Sequence, residues 1–438
     1  MEQTESGPAE HVPVCGSGGG DNAFGREGKK MNRGLVVGMI SLTLMGVRAE
    51  TWVPEKMAES LHMGRRLEVF TNEVRAAWGY AAPQKDAFLV LHPKQERKCA
   101  PLYVVLHSAG HDAFSCLACT RTPGNHDIYH APEEFFALYL DCRGNKGDWW
   151  WGIQRTKGPD IGPTEKRVID TVKWVIEQYA VDPERVYLCG NSMGGSGALG
   201  IGMRHGEIFA AIKANVPARV EHVSSRMGFP PYAPLPAGTR LADPPICIDY
   251  SAPNDTWSTN HETFVSAMNL RKYPLYFYWG PFGHANNDGK ILAVNDLVHS
   301  FDWLNVRKNE LYAVFTDAST NDPLPWPARL DDKKSGQINA FFRWKPLADR
   351  PRRVEVSLFL LTPQICKTSF TLPTEATANV TLRRLQRFTV KPGAEVRWSF
   401  GEREGTVRAD SEGLITIPGL KITGEPQTLR LVKPGWWR

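Results

Sequence analysis

A serine lies between two glycines in residues 190–194, which read GNSMG and directly follow the apolar run 185–189, RVYLC. Small residues continue the pattern in residues 195–199, GSGAL. A G-x-S-x-G pattern at the junction of a strand and a helix is typical of a nucleophile elbow, a sharp turn whose glycines let the two elements approach closely. The pattern predicts that Ser192 presents its hydroxyl at the carboxyl end of a strand, where a helix begins.

A serine hydroxyl is a weak nucleophile and needs a base, which a carboxylate in turn orients. When such a serine lies on a parallel sheet, the acid and then the base follow it in the chain, on loops after later strands. Asp255 fits this order because it comes just after the predicted strand 246–250. His284 fits because it comes just after the predicted strand 275–279. We therefore expect Ser192, Asp255 and His284 to form a catalytic triad.

Other residues compete for the roles of acid and base. Asp249 is the competing acid, but it lies within a predicted strand instead of on a loop. Asp255 has the alternative interpretation of a turn-forming residue, since Pro-Asn-Asp sequences favour turns. His284 has the alternative interpretation of a loop histidine bonded to backbone. Three further histidines fit the order less well because all of them precede Asp255, namely His107, His111 and His205.

The oxyanion that forms when a serine attacks a carbonyl needs hydrogen-bond donors that are already in place. We expect one donor to be the backbone N–H of Met193, at the start of the helix after the elbow. The second donor is expected from the loop after the predicted strand 102–107, where residues 107–111 read HSAGH. The sequence favours Ser108 or Ala109 without deciding between them.

Three consecutive tryptophans, Trp149, Trp150 and Trp151, follow a predicted strand that ends near residue 141. Three neighbouring side chains do not all point into one core, so we expect at least one exposed indole, which suits a sugar face or an aromatic acyl group. The alternative is packing between the sheet and the following loop. Trp257, two residues after Asp255, is expected to join the same substrate-binding wall.

The elements that must position these residues alternate between short β-rich runs and helical stretches from about residue 86 to 306, which is typical of an α/β fold. The pattern predicts an amphipathic helix over 164–179, with apolar residues at helical spacing. Beyond residue 309 it predicts an all-β sandwich instead, with strands such as 354–360 and 395–400 between Pro, Gly and Asp turns. The sequence thus predicts a catalytic domain over 50–308 and a β-sandwich-like domain over 309–438. Further strands are predicted over 86–91, 102–107, 135–140, 185–189, 209–212, 246–250 and 275–279.

Composition narrows the class of protein. Apolar residues make up 42% and charged residues 23% of the 438 residues, which is typical of a globular protein. The net charge of +5 is small for this length, and no long basic run alternates with aromatics. These features disfavour nucleic acid as a partner.

The first 49 residues are predicted to be an upstream extension followed by a signal peptide. Lys29, Lys30 and Arg33 precede the apolar run 34–45, which is too short for a membrane-spanning helix. Residues 47–49 then supply the small residues of a cleavage site, and Met31 is the expected start. We therefore expect a secreted or periplasmic protein with no stable membrane insertion after cleavage; the alternative is a membrane anchor that is retained.

Export affects how the cysteines are interpreted, because cleavage would remove Cys15 and leave an odd number, seven. Cys116 and Cys119 form an isolated C-x-x-C near four histidines, His107, His111, His126 and His130. A metal site is disfavoured because no second ligand pair has the spacing of a zinc site. We expect a structural disulfide or buried thiols here, and no metal or cofactor.

Several of these motifs together resemble one family. HSAG at 107–110, VDPERVY at 181–187 leading into the elbow, Asn254-Asp255 and Gly283-His284 are similar to the secreted esterase branch of the α/β-hydrolase superfamily. That branch contains feruloyl and acetylxylan esterases and polyhydroxybutyrate-depolymerase-like enzymes. The resemblance covers about residues 85–306 and implies an α/β-hydrolase fold, with Ser192 as nucleophile, Asp255 as acid and His284 as base. The family's His-Gly-Gly-like oxyanion loop differs here, which leaves the second donor open.

The expected function is that of a secreted serine esterase that cleaves an acyl ester, of acetyl or feruloyl type on carbohydrate, through an acyl-enzyme and without a cofactor. Its partner is then a small-molecule or polysaccharide ester. One alternative is a serine peptidase of the prolyl-oligopeptidase kind, although only about 35 residues separate the signal from the sheet, too few for the usual N-terminal propeller. Another is a non-catalytic glycan-binding protein with a hydrolase-like core.

Overall fold

The computed structural model describes residues 52–73, 75–80, 85–142, 148–150, 152–153, 160–327 and 334–434. The predicted signal peptide, Cys15 and Trp151 lie outside these residues. Within the described ranges, no helix combines the length and the apolar character that crossing a membrane requires.

Strands and helices alternate through the first two thirds of the described chain, and strands alone fill most of the last third. The described strands are β1 (Glu55–His62), β2 (Arg65–Glu73), β3 (Lys85–Leu91), β4 (Leu102–Leu106), β5 (Phe136–Leu140), β6 (Asp148–Trp149), β7 (Gly152–Ile153), β8 (Val186–Asn191), β9 (Ala211–Asn215), β10 (Ile246–Ser251), β11 (Leu275–Trp279), β12 (Tyr312–Thr316), β13 (Gly336–Ile338), β14 (Phe342–Arg350), β15 (Arg353–Leu360), β16 (Glu375–Arg383), β17 (Glu395–Phe400), β18 (Arg403–Arg408), β19 (Thr416–Thr423) and β20 (Gln427–Val432). The helices are α1 (Ala113–Cys119), α2 (Pro163–Gln178), α3 (Met193–Gly202), α4 (Glu221–Arg226), α5 (His261–Leu270) and α6 (Asn295–His299).

The central sheet has the strand order β1-β2-β3-β5-β4-β8-β9-β10-β11-β13. The six strands from β5 to β11 in this order run parallel, whereas β1, β2 and β3 at one edge and β13 at the other pair antiparallel. The parallel strands end in register, since Leu106 pairs with Gly190, and Asn191 with Asn215. All loops that follow these strands therefore meet at one edge, which is where ligands bind in such sheets.

Helices cover both faces of this sheet, as the sequence predicts. On one face α2, α3, α4 and α5 bury apolar side chains such as Val172, Leu199 and Phe264. On the other face α1 and α6 bury residues such as Leu117 and Leu297. Parallel sheets are stable in water only when both faces are covered in this way, which explains why the parallel strands are almost wholly apolar. The α/β-hydrolase-like architecture expected from the sequence is confirmed.

The last third of the chain forms two antiparallel sheets, β12-β16-β19 and β14-β15-β20-β17-β18. Alternate residues of β15 are buried, among them Val354, Val356 and Leu358, and they share a core with Val380 of β16. This alternation is the pattern of a strand with one face on a core. The expected C-terminal β domain is therefore present as separate antiparallel sheets.

One strand crosses the domain boundary that the sequence suggests at 308/309. β13 lies beyond this boundary, yet it pairs with β11 through Phe277↔Ile338 and Trp279↔Gly336 and so extends the central sheet. The apolar core on this side of the sheet is also continuous from β11 into the β-rich region. The two regions therefore share one sheet and one core.

Candidate active site

The elbow is built where β8 ends and α3 begins. Ser192 has φ +54° and ψ −116°, a conformation that non-glycine residues seldom adopt. A Cβ on Gly190 would lie 2.2 Å from the Gly194 carbonyl oxygen, and one on Gly194 would lie 2.0 Å from the Leu106 carbonyl oxygen. Both positions therefore require glycine, because any side chain would overlap backbone atoms.

Backbone hydrogen bonds hold Ser192 in this conformation. Its N–H donates to the carbonyl oxygen of Asn215 at 2.9 Å, and its carbonyl oxygen accepts from Ser196 at 3.0 Å and Ala218 at 3.2 Å. The neighbouring strand β9 and the loop after it thus fix Ser192. Nothing in the sequence marks Asn215 for this role, because it contributes through its main chain.

His284 lies on the loop after β11 and contacts the other two members of the expected triad. Its Nε2 lies 2.8 Å from Ser192 Oγ, and its Nδ1 lies 2.5 Å from Asp255 Oδ2. The His284 side chain is 32% exposed, whereas that of Asp255 is 2% exposed. In this arrangement the buried carboxylate orients the imidazole, and the imidazole faces the serine hydroxyl on the solvent side, so it can accept the hydroxyl proton.

The Asp255 loop is itself tightly held. Asp255 Oδ1 accepts the N–H of Trp257 at 2.9 Å, which leaves Oδ2 for His284. Asn254 Oδ1 accepts the N–H of Gly283 at 2.8 Å and so joins the loop of Asp255 to the loop of His284. Sequence reasoning included Asn254 only as part of the motif, although its side chain sets the spacing of the two loops.

Part of the chain is similar to a known protein family. Residues 86–226 match the family model described as esterase PHB depolymerase, a segment that runs from β3 through the elbow to α4. The matched segment covers less than half of the chain and contains Ser192, so this part of the chain is similar to an esterase family. No curated protein matches the chain.

Several solved structures are similar to parts of the chain. S-formylglutathione hydrolase from Agrobacterium tumefaciens is 14% identical, with 53% of this chain and 92% of that chain covered and a TM-score of 0.37. The fluorophosphonate-binding serine hydrolase F of Staphylococcus aureus is 12% identical, with 55% and 99% covered and a TM-score of 0.36. Acetyl xylan esterase from Aspergillus awamori is 14% identical, with 39% and 69% covered and a TM-score of 0.28.

The two candidates for the second oxyanion donor differ in their surroundings. The Ser108 N–H donates to the Tyr129 hydroxyl at 3.1 Å, and the Ser108 hydroxyl donates to the Asn191 carbonyl oxygen at 2.9 Å. The second of these bonds attaches the buried Ser108 to the end of β8. Ala109, in contrast, is exposed. Met193 is the first residue of α3, so its N–H has no carbonyl partner within the helix.

The described tryptophans expected to line a substrate-binding wall differ in burial. Trp150 is completely buried: its Nε1 donates to the His107 carbonyl oxygen at 2.9 Å, and its ring packs where Gly197 leaves room. The expectation that Trp150 contacts substrate is therefore wrong, because its ring supports the elbow from within the core. Trp149 is half-buried and also packs on this core. Trp257 is 53% exposed, with its ring centroid 6.4 Å from that of His284.

The side chains of the competing acid and bases contact residues other than Ser192. Asp249 is buried within β10, and burial raises the pKa of its carboxyl well above the ordinary value. Its Oδ2 lies 3.8 Å from Nε2 of His261, a buried histidine whose pKa burial lowers to about 3. His205 contacts Glu165 at 2.9 Å, and the buried His107 contacts Asp141 at 3.3 Å.

The C-x-x-C cysteines are buried free thiols, one of the two outcomes expected for them. Burial raises the pKa of Cys116 and of Cys119, so both thiols are protonated at neutral pH. Cys119 Sγ lies 3.9 Å from His126 Nδ1. Across the described ranges, no cluster of three or more His, Cys, Asp or Glu side chains has a geometry that would hold a metal ion.

Proposed function

We propose that the chain is a secreted serine esterase that hydrolyses acyl esters on carbohydrate through an acyl-enzyme on Ser192. The observation that carries this proposal is the contact of one imidazole with both partners, His284 Nε2 with Ser192 Oγ at 2.8 Å and Nδ1 with Asp255 Oδ2 at 2.5 Å. The distances allow the proton of the serine hydroxyl to pass to His284 while the new bond to carbon forms.

In the first half of the reaction, Ser192 Oγ attacks the ester carbonyl carbon and His284 accepts the hydroxyl proton. The carbonyl electron pair moves to oxygen, and the resulting oxyanion accepts hydrogen bonds from the N–H groups of Met193 and Ala109. We assign the second donor to Ala109 because the Ser108 N–H already donates to Tyr129. The carbon–oxygen bond to the alcohol then breaks, and His284 returns the proton to the departing alcohol.

In the second half, His284 removes a proton from a water molecule as that water attacks the acyl carbon. The second tetrahedral intermediate expels Ser192 Oγ, which regains its proton from His284, and the carboxylic acid leaves. The buried carboxylate of Asp255 stabilises the imidazolium in both halves. No step requires a cofactor.

Two features support the finer parts of the proposal. The exposed indole of Trp257 beside His284 suits the apolar face of a sugar ring, which supports a carbohydrate ester. Residues 29–49 have the basic, apolar and small-residue regions of a signal peptide, which supports secretion. Expression of the full chain in a bacterial host tests secretion: we expect the exported protein to begin at Glu50.

The experiment that tests the activity measures hydrolysis of p-nitrophenyl acetate by the wild type, Ser192→Ala and the surface control Ser411→Ala. We expect Ser192→Ala to lower kcat by about 10⁴-fold or more and Ser411→Ala to leave it unchanged. Acetylated xylan, methyl ferulate and a proline-containing peptide anilide then distinguish substrate classes. Cleavage of the peptide alone would replace the proposal with a peptidase, and inactivity on every substrate would leave a non-catalytic protein.

A further inference from the structure

Arg219 lies on the rim of the active site in an unusual backbone conformation. It has φ +65°, in the left-handed region that favours glycine. Its N–H donates to the Trp257 carbonyl oxygen at 3.0 Å, and the preceding residue, Ala218, donates to the Ser192 carbonyl oxygen at 3.2 Å. Backbone hydrogen bonds therefore hold Arg219 and the residue before it between Ser192 and Trp257.

A second layer of contacts holds this rim. The Arg219 carbonyl oxygen lies 2.6 Å from Nδ1 of the buried His222. Glu221, two residues further, accepts hydrogen bonds from Asn260 Nδ2 at 3.1 Å and Thr259 Oγ1 at 3.4 Å, on the same loop as Trp257. The loop after β9 and the loop of the catalytic acid are thus joined at three points. The Arg219 backbone is fixed, while its side chain is exposed.

The positive charge of Arg219 is not neutralised by the parts of the protein that the structure describes. No described carboxylate forms an ion pair with its guanidinium, and the nearby Glu221 is engaged by Asn260 and Thr259. Arg219 is exposed, has no ion pair with a described carboxylate, and is bonded through its backbone to the residue that carries the exposed indole. These features match a ligand that carries both a ring and a carboxylate.

We propose that Arg219 and Trp257 form a subsite for an anionic substrate, an acyl ester whose alcohol part is a ring that bears a carboxylate, such as an acetylated uronic acid. This inference rests on the proposed function and names its substrate class. The ring lies on the Trp257 indole, and the carboxylate pairs with the Arg219 guanidinium, so the scissile ester is held against Ser192.

The test compares two acetate esters that differ in one charge, 4-acetoxybenzoate and its neutral methyl ester, methyl 4-acetoxybenzoate. We expect wild type to prefer the anionic ester. In Arg219→Gln, kcat/KM for the anionic ester should fall about 10- to 100-fold while that for the neutral ester changes less than about 2-fold. Arg219→Lys should keep part of the preference, and the exposed control Arg397→Gln all of it. Added salt should weaken the preference, because the pair is exposed.

Equal losses on both esters in Arg219→Gln would make Arg219 a structural residue, and no loss on either would remove it from the site; each result overturns the proposal. p-Nitrophenyl hydrogen succinate carries its charge on the acyl part of the ester. A loss of kcat/KM for this ester in Arg219→Gln would show that Arg219 binds a carboxylate on the acyl part instead. If the wild type hydrolyses neither ester, the proposed function fails. The subsite is then judged by titration calorimetry, in which benzoate should bind wild type and not Arg219→Gln.

Discussion

Gly194 approaches Leu106 so closely that a Cβ on the glycine would lie 2.0 Å from the leucine's carbonyl oxygen. Leu106 ends β4, and Gly194 lies in the first turn of α3, so the end of the strand and the start of the helix are in backbone contact. The loop that carries Ser108 and Ala109 begins immediately after Leu106. This approach therefore sets the distance between the nucleophile elbow and the loop expected to complete the oxyanion hole.

The first prediction concerns this contact. Gly194→Ala should strongly destabilise the protein and abolish activity, because the methyl group overlaps backbone atoms that cannot move without displacing β4 or α3. We expect a loss of roughly 3 kcal/mol or more in the free energy of unfolding, measured by urea denaturation. Gly289→Ala is the matched control, since only Asn287 Oδ1, at 4.0 Å, lies near its added methyl group. Comparable losses in both variants would contradict the steric explanation.

The second prediction separates the two candidate acids. Asp255→Asn should lower kcat for p-nitrophenyl acetate about 10³-fold or more, because an amide neither carries charge nor fixes the tautomer of His284. Asp249→Asn should leave kcat within about 2-fold, because burial raises the pKa of the Asp249 carboxyl and so favours its neutral form, and asparagine has nearly the same shape. Steady-state kinetics of the two variants measures which carboxylate is needed for activity. A larger loss in Asp249→Asn would transfer the role of acid to that residue.

The sequence was sufficient to predict the positions of residues that lie where strands end. Ser192, Asp255 and His284 each follow an apolar run. Because the carboxyl ends of parallel strands meet at one edge of a sheet, their order and spacing were enough to predict that they lie close together. The helix predicted over 164–179 is found at Pro163–Gln178 because its apolar residues recur at helical spacing. These predictions rest on local patterns of apolar residues, which arise because the sheet is buried on both faces.

Roles that depend on packing could not be read from the sequence. Trp150 and Trp257 have the same side chain, yet one fills the space beside Gly197 and the other is exposed, which only the fold determines. The strand predicted over 209–212 is found at Ala211–Asn215, shifted toward polar residues, because Asn215 must reach the elbow to accept the Ser192 N–H. The sequence also does not predict β1, β2 and β13, which lie at or next to the edges of the central sheet, where strands have weaker apolar patterns.

The third prediction is a pH dependence of stability that arises at His222. Burial lowers the pKa of His222 to about 4, against the partly compensating effect of its contacts with the carbonyl oxygens of Ser196 and Arg219. The unfolded chain, with a pKa near 6.5, then binds more protons than the folded chain between pH 6.5 and 4. Stability from this residue is therefore present above pH 6.5 and falls as the pH drops to 4, by roughly 3 kcal/mol in total.

The measurement is the thermal midpoint of wild type and His222→Gln from pH 7.5 to 4. Wild type should lose several degrees more than the variant over the window, because glutamine does not titrate. The other buried histidines, such as His92 and His261, are present in both proteins and cancel in the comparison. Parallel curves would show that His222 does not control acid stability.

The fourth prediction concerns the junction between the β-rich region and the central sheet. Arg384 is buried; its guanidinium donates to the carbonyl oxygens of Ala210 at 2.9 Å and Phe209 at 2.8 Å and lies over the Tyr312 ring. Arg384→Leu leaves both carbonyl oxygens without these donors. We expect a loss of roughly 3 kcal/mol in the free energy of unfolding. Arg397→Leu, at an exposed position of β17, should cost less than about 0.5 kcal/mol.

Calorimetry of Arg384→Leu also tests whether the two regions unfold together. β13 completes the central sheet and one apolar core runs through both regions, so the weakened junction should lower a single transition instead of splitting it. Esterase activity should disappear in the same temperature range as the β-rich region unfolds. Two transitions, with activity surviving the first, would mean that the catalytic sheet is stable without its C-terminal neighbour and that β13 contributes little to it.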